Sequence, residues 1–251
     1  MRTKIDVRQI TKGYPSEEGG TLQVVDGVSF SVADGEFVAI VGPSGCGKST
    51  LMSVLAGFSR PDQGAVLVDG VEVTKPSSKR ILISQQGSVF PWLTVRENLT
   101  FGLHGRAHVD RTELAFHYAS LVGLLGFEHR YPHELSGGMV KRAELARALV
   151  VKPEILFMDE PFSGLDALMS LRMRNEVIRI LGEERHTILS ITHDVEEAIH
   201  MADRIIVLSP RPTKVQATFD VAIPHPRRLT SPEVQDLRVR ILRELGVDRS
   251  E

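Results

Sequence analysis

Nine consecutive residues, Gly42-Pro43-Ser44-Gly45-Cys46-Gly47-Lys48-Ser49-Thr50, carry the most specific chemistry in the sequence. They fit the pattern Gly-x-x-x-x-Gly-Lys-[Ser/Thr]. Its glycines let successive backbone N–H groups turn inward around one anion, which side chains at Cβ would obstruct. Lys48 adds a mobile point charge for the β- and γ-phosphates, and Ser49 offers its hydroxyl to Mg²⁺. A nucleoside triphosphate site is the expected result. Cys46 lies beside Lys48 close to a helix start, a setting that activates thiols; a small residue of no chemical use is the alternative.

Two further stretches bear on the same chemistry. Ile155-Leu156-Phe157-Met158 is an apolar run that ends in Asp159-Glu160. In a parallel sheet, ligands gather at the carboxyl ends of strands, so both acids are expected beside the phosphates. Asp159 suits the Mg²⁺ shell through a bound water. Glu160 suits general-base activation of the attacking water. Ser136-Gly137-Gly138, at an expected helix start, is a second place where exposed N–H groups face an anion. Since one triphosphate already has its cradle, a second anion site suggests a two-fold arrangement in which each copy closes over the nucleotide of the other. The alternative is an ordinary serine cap with two hinge glycines.

The elements that must hold these residues are legible from periodicity. Phe37 to Val41 is a continuous apolar run, as in a strand buried on both faces, and Thr50 to Ala56 reads as a helix ended by Gly57. Ile5 to Ile10 and Val28 to Val32 alternate as half-buried antiparallel strands joined through a polar loop, Pro15 to Gly20. Asp69-Gly70 predicts a tight hairpin turn, and Arg80 to Ser84 a short strand ending at Gln85-Gln86. Residues 89–150 read as helical, with Asp110 capping a helix that carries Leu114, Tyr118, Leu121, Val122 and Leu125, and Ser136 capping the next. Strand and helix then alternate: Ile155 to Met158, Ala167 to Leu181, Thr187 to Ile191, Val195 to Met201, Arg204 to Leu208. Lys214 to Ile223 reads as an edge strand or hairpin, and a last amphipathic helix starts at Ser231-Pro232 and runs to Leu245. The fold class is α/β.

Composition narrows the classes. The 251 residues are 42% hydrophobic and 25% charged, ordinary for a globular chain with a sizeable core. A net charge of −2 gives no electrostatic case for nucleic acid. One cysteine forms no internal disulfide. No apolar run reaches the ~18–20 residues of a membrane span, and the start, Met1 to Asp6, has no signal-peptide core. A cytosolic protein, or one held at a membrane through a partner, is expected.

Leu135-Ser136-Gly137-Gly138, placed between the glycine loop and Asp159-Glu160, resembles the signature of ABC transporter ATPase subunits, and the resemblance covers nearly the whole chain. It implies a P-loop NTPase of the ABC ATPase type: a RecA-like core with an antiparallel β-subdomain (1–88 and 151–251), an inserted helical subdomain (89–150) and a closing helix (231–245). By the same resemblance Gln85 is the Q-loop glutamine that joins Mg²⁺ and the water to the membrane partner. Ser163-Gly164-Leu165-Asp166 is the D-loop, His193 the switch histidine near the γ-phosphate, and Tyr14 the aromatic that stacks on adenine. Tyr14 packing within its loop and His193 as a structural hydrogen-bonder are the plainer readings of those residues. The implied cofactors are ATP and Mg²⁺. The implied partners are a second ATPase subunit, transmembrane permease subunits and, indirectly, an extracytoplasmic solute-binding protein, at the cytoplasmic face of the inner membrane.

Phe90-Pro91-Trp92-Leu93-Thr94-Val95-Arg96-Glu97-Asn98-Leu99, Gly137-Gly138-Met139 and His225-Pro226-Arg227 resemble the importer ATPases for nitrate, sulfonate, taurine and bicarbonate. Departures are Val140-Lys141-Arg142-Ala143-Glu144, where Arg-Gln-Arg-Val-Ala is more usual, and Ser84 where Phe is usual. Trp92, the only tryptophan, is either a docking anchor for a permease helix or part of the core. No Asn-Lys-x-Asp guanine reader occurs, which argues against a GTPase.

Overall fold

Apolar and polar residues alternate over Ile5 to Ile10 and Val28 to Val32, and the computed structural model places these stretches in two long antiparallel strands, β1 (Thr3–Pro15) and β2 (Thr21–Ala33). The structure describes residues 2–16, 19–85, 87–103, 110–183 and 186–247. After β2 come β3 (Phe37–Val41), α1 (Lys48–Ala56), β4 (Gln63–Val68), β5 (Val71–Glu72) and β6 (Arg80–Ile83). Three helices follow, α2 (Val95–Thr100), α3 (Arg111–Leu121) and α4 (Gly137–Leu149). The rest alternates: β7 (Ile155–Asp159), α5 (Ala167–Glu183), β8 (Thr187–Thr192), α6 (Val195–Met201), β9 (Arg204–Leu208), β10 (Val215–Asp220) and α7 (Pro232–Glu244). The chain divides into two compact units, one of Met1–Ser77 with Thr187–Glu251, the other Ser78–His186.

In the first unit, β2-β1-β4-β5 form one antiparallel sheet. Asp69 and Gly70 turn β4 into β5 with φ of 50° and 80°, the two positive angles of a type I′ hairpin turn. A second set of strands runs β10-β9-β3-β8. Strand β3 is parallel to both β8 and β9, while β10 lies antiparallel on β9 at the edge, so the stretch from Lys214 to Ile223 forms an edge strand over Val215–Asp220. Residues 38–41 of β3 are buried, which accounts for its unbroken apolar run. Helix α1 starts two residues earlier than its apolar pattern, at Lys48, and stops at Gly57 in the left-handed conformation. Helices α6 and α7 pack their apolar faces together against β3 and β9: Val195, Ala198 and Ile199 meet Val234, Leu237 and Ile241.

In the second unit β6 and β7 pair in parallel, Ile83 beside Met158. Asp110 caps α3 by accepting the N–H groups of Thr112 and Glu113. The helix ends at Leu121, so Leu125 is not on its face: it is exposed, and Leu124 takes the core position. Gly123, with φ of 64°, reverses the chain after α3 and offsets the helical period. Helix α2 opens with a capping box, Thr94 and Glu97 each accepting from the backbone of the other. Parts of several sequence expectations lie outside the described residues: the middle of the Pro15 to Gly20 loop, Gln86, 104–109 of the helical stretch, and Met1 at the start.

Candidate functional site

The loop at the carboxyl end of β3 is built by backbone geometry. Gly45 and Gly47 have φ of 73° and 120°. A Cβ on Gly47 would stand 2.5 Å from Val24 Cγ1, so this position excludes any larger residue on both conformational and packing grounds. Gly42 has Leu208 at its back, 3.1 Å from a notional Cβ. Cys46 is buried at 2% exposure, and its carbonyl accepts from the Thr213 hydroxyl. Buried thiols are inert, which removes the expectation of a reactive Cys46. Pro43 is half-buried, whereas Ser44, Gly45 and Ser49 are exposed and Thr50 is half-buried. Lys48 folds back over the loop, its Nζ donating to the carbonyls of Gly42 at 2.8 Å and Pro43 at 2.9 Å. No side chain caps α1, so its first N–H groups are left for a ligand.

Two other expected residues share this unit. Tyr14 is exposed near the end of β1, with Lys12 Nζ 5.7 Å above its ring. Lys12 is itself drawn to Asp62, 2.7 Å away. His193 is exposed between Thr192, the last residue of β8, and Asp194, which caps α6 by accepting the N–H groups of Glu196 and Glu197.

The second unit holds the expected acids and the expected signature residues. Asp159 ends β7, and Glu160 follows it with φ of 48°, a left-handed conformation unusual for a side chain with a Cβ. Its carbonyl accepts from the N–H and hydroxyl of Ser163, which fixes the turn. Gln85 Nε2 donates to Glu160 Oε2 at 3.1 Å, so the glutamine after β6 and the acid after β7 meet. Ser136 Oγ accepts from Met139 N–H at 3.4 Å and caps α4. Gly137 is exposed; Gly138 is buried, its notional Cβ 2.9 Å from Met169 Sδ. Ser136 and Gly138 line an open cleft together with Met169, Arg172 and Glu176 of α5. Asp166 of the expected D-loop accepts from Met169 N–H at 2.9 Å.

Sequence reasoning passed over several supports. Glu144, 1% exposed on α4, accepts from the N–H of Ser88 and pairs with Lys141 at 3.2 Å, tying the segment after Gln85 to the signature helix. A carboxylate on the inner face of an apolar helix was the available signal. Buried Asn98 accepts from Phe90 N–H and donates to the carbonyls of Phe90, Leu93 and Thr94. Arg147 lies 4.0 Å from the centre of the Phe90 ring, which also meets Phe101 edge-on at 4.5 Å and Trp92 at 5.3 Å. Trp92 is 69% exposed, which takes it out of the core. Thr94-x-x-Glu97 was a legible capping box.

Parallel strands with a glycine loop running from β3 into α1 define a phosphate-loop α/β nucleotide hydrolase fold. The family model for ABC transporters matches residues 25–163. A Brucella abortus protein named for ATP binding is 45% identical over 247 residues, covering 96% of this chain and 93% of its own length. An aliphatic sulfonates import ATP-binding protein of Bacillus cereus is 37% identical, covering 96% and 95%. A solved dimeric bacterial ABC transporter cassette, MJ0796, superposes with a TM-score of 0.76 at 27% identity, over 88% of this chain and all of that one. The same cassette has been solved in a post-hydrolysis state with ADP and Pi, at a TM-score of 0.74. The chain belongs to the ABC transporter family, as an ATP-binding, ATP-hydrolysing subunit. Cassettes of this family dimerise. Among the described residues no helix is long and apolar enough to cross a membrane.

Proposed function

We propose that this subunit drives uptake of a small anionic or zwitterionic solute (a sulfonate, taurine, nitrate or bicarbonate) through a partner permease. The support is the 37% identity with a sulfonate import subunit across 96% of the chain, together with the motif set. The carrying observation is the contact between Gln85 and Glu160 at the carboxyl end of β7. In this reading Glu160 takes the proton of the attacking water, and Gln85 aligns that water and reports to the permease. Lys48 and the backbone N–H groups of the loop, Pro43 having none, hold the β- and γ-phosphates over residues 42–50, Tyr14 stacks on adenine, and His193 orients the γ-phosphate. Residues 89–150 form the signature subdomain.

The Ser49 hydroxyl, the Asp159 carboxylate and the Gln85 amide offer only oxygen to a metal, which suits Mg²⁺, an ion held through one or two carboxylates plus substrate phosphates. When bound, that ion neutralises charge on the phosphate oxygens. A second copy of the chain supplies Ser136, Gly137 and Gly138 across a dimer, so that ATP closes the pair and hydrolysis reopens it. The subunit then sits at the cytoplasmic face of the cell membrane through its permease, with a solute-binding protein on the far side.

Glu160→Gln tests this assignment. The variant is expected to bind ATP, to hydrolyse it about 10²–10⁴-fold more slowly, and to elute as an ATP-dependent dimer. Near-normal turnover would remove Glu160 from the role of base.

A further inference from the structure

His225-Pro226-Arg227 leads into the closing helix, and Arg227 is a buried cation of the first unit described above. It is only 5% exposed, and its guanidinium donates to four backbone carbonyls. Its Nη1 donates to Ile199 at 2.8 Å and Ala202 at 2.6 Å, its Nε to Ile223 at 2.6 Å, and its Nη2 to Val221 at 3.3 Å. Two of these acceptors belong to the carboxyl end of α6, and two to the segment that follows β10. Helix carbonyls at that end have no partner within the helix, and a cation there also meets the negative pole of its dipole.

Helix α6 needs such anchoring, because seven residues are too few to hold a helix unaided. Its amino end is fixed by Asp194, whose own N–H donates to the Thr192 hydroxyl at 3.0 Å. Arg227 fixes the carboxyl end, and α7 covers the apolar face, with Arg238 reaching Glu196 at 3.1 Å. His193 lies between the last strand position, Thr192, and Asp194, the cap of this clamped helix. A shift of α6 along its axis is therefore passed straight to the histidine backbone.

We infer that Arg227 is a positioning residue for ATP hydrolysis, acting through α6 on His193. The inference rests on the role given to His193 under Proposed function. Lysine cannot replace the fork, since one ammonium cannot span carbonyls on two separate segments in a fixed plane.

The experiment compares Arg227→Lys, His193→Ala and the double variant by steady-state ATPase and by nucleotide titration of the full chain. Arg227→Lys is expected to lower kcat about tenfold, a modest share of what an ångström of misplacement costs, with the ATP dissociation constant within about twofold. In the His193→Ala background it is expected to cause no further loss. Equal losses in both backgrounds, a kcat left at the parent value, or a parallel loss of ATP affinity would each overturn the inference. Wild-type turnover in His193→Ala alone would instead sink the assignment of His193, and this inference with it. Where Arg227→Lys does not fold, Arg238→Gln loosens the same helix from its surface side. A reduced kcat that His193→Ala masks supports the clamp, and an unaltered kcat overturns it.

Discussion

Gly47→Ala is the sharpest test of the loop geometry. The residue has φ of 120°, and its new Cβ would stand 2.5 Å from Val24 Cγ1 and 3.5 Å from the Val24 carbonyl. Val24 is buried in β2 and β-branched, so it has little rotamer freedom with which to withdraw. Backbone strain at such an angle costs about 1–3 kcal/mol, and overpacking a filled site about 1–3 kcal/mol more. The sum, about 2–6 kcal/mol, corresponds to a fall in Tm of about 4–24 °C for a chain of this size. Thermal unfolding followed by circular dichroism gives the stability, and titration with a fluorescent ATP analogue gives the affinity, which is expected to fall as the loop opens. Val24→Ala in the same chain separates the two causes. It removes the clash but leaves the φ strain, so the double variant is expected to regain about 1–3 kcal/mol beyond additivity. An unchanged Tm in Gly47→Ala, or strict additivity with Val24→Ala, would refute the packing argument.

Lys48→Ala removes the donor shared by the Gly42 and Pro43 carbonyls; ATP affinity is expected to fall about tenfold or more by nucleotide titration, the worth of a charge-assisted hydrogen bond. Trp92→Ala, at a 69% exposed side chain, is expected to change stability by no more than about 0.5 kcal/mol while reducing co-purification with the permease. A drop in Tm of many degrees would return Trp92 to a structural role. Asp62 has its carboxyl held below the ordinary value of 3.8, first by the hydrogen bond from Lys12 and then by the N–H of Gly13. A depressed folded-state value stabilises above about pH 4 and is lost as the pH falls through that depressed value. Asp62→Asn is therefore expected to lower the urea midpoint at neutral pH, with the difference from the parent closing below pH 3.8.

The residues of the loop are contiguous, so their chemistry could be read as a string, and β3 announced itself by an apolar run with no polar break. Asp69-Gly70 was equally legible, because only a few residue types tolerate two successive positive φ angles. Leu125 was placed wrongly because helical periodicity carries no marker of where Gly123 interrupts it. Trp92 and Cys46 could not be assigned from the chain, since burial depends on what distant segments supply: Thr213 and Val24 close over the loop, whereas among the described residues Trp92 stays largely exposed. The Arg227 clamp was illegible for a related reason. Its acceptors are backbone carbonyls, which every residue possesses and no sequence pattern displays. Gln85 and Glu160 lie seventy-five positions apart, and only the parallel pairing of β6 with β7 explains why they meet.

With Glu160 as the proposed base, its left-handed backbone sets folding against turnover at one position. Glycine would relieve the turn, and asparagine would tolerate it, so selection for a sturdier chain alone would steer this codon away from an acid. A library screened for heat resistance without a transport requirement is where that drift should surface first, as sturdy proteins that hold ATP and do not spend it.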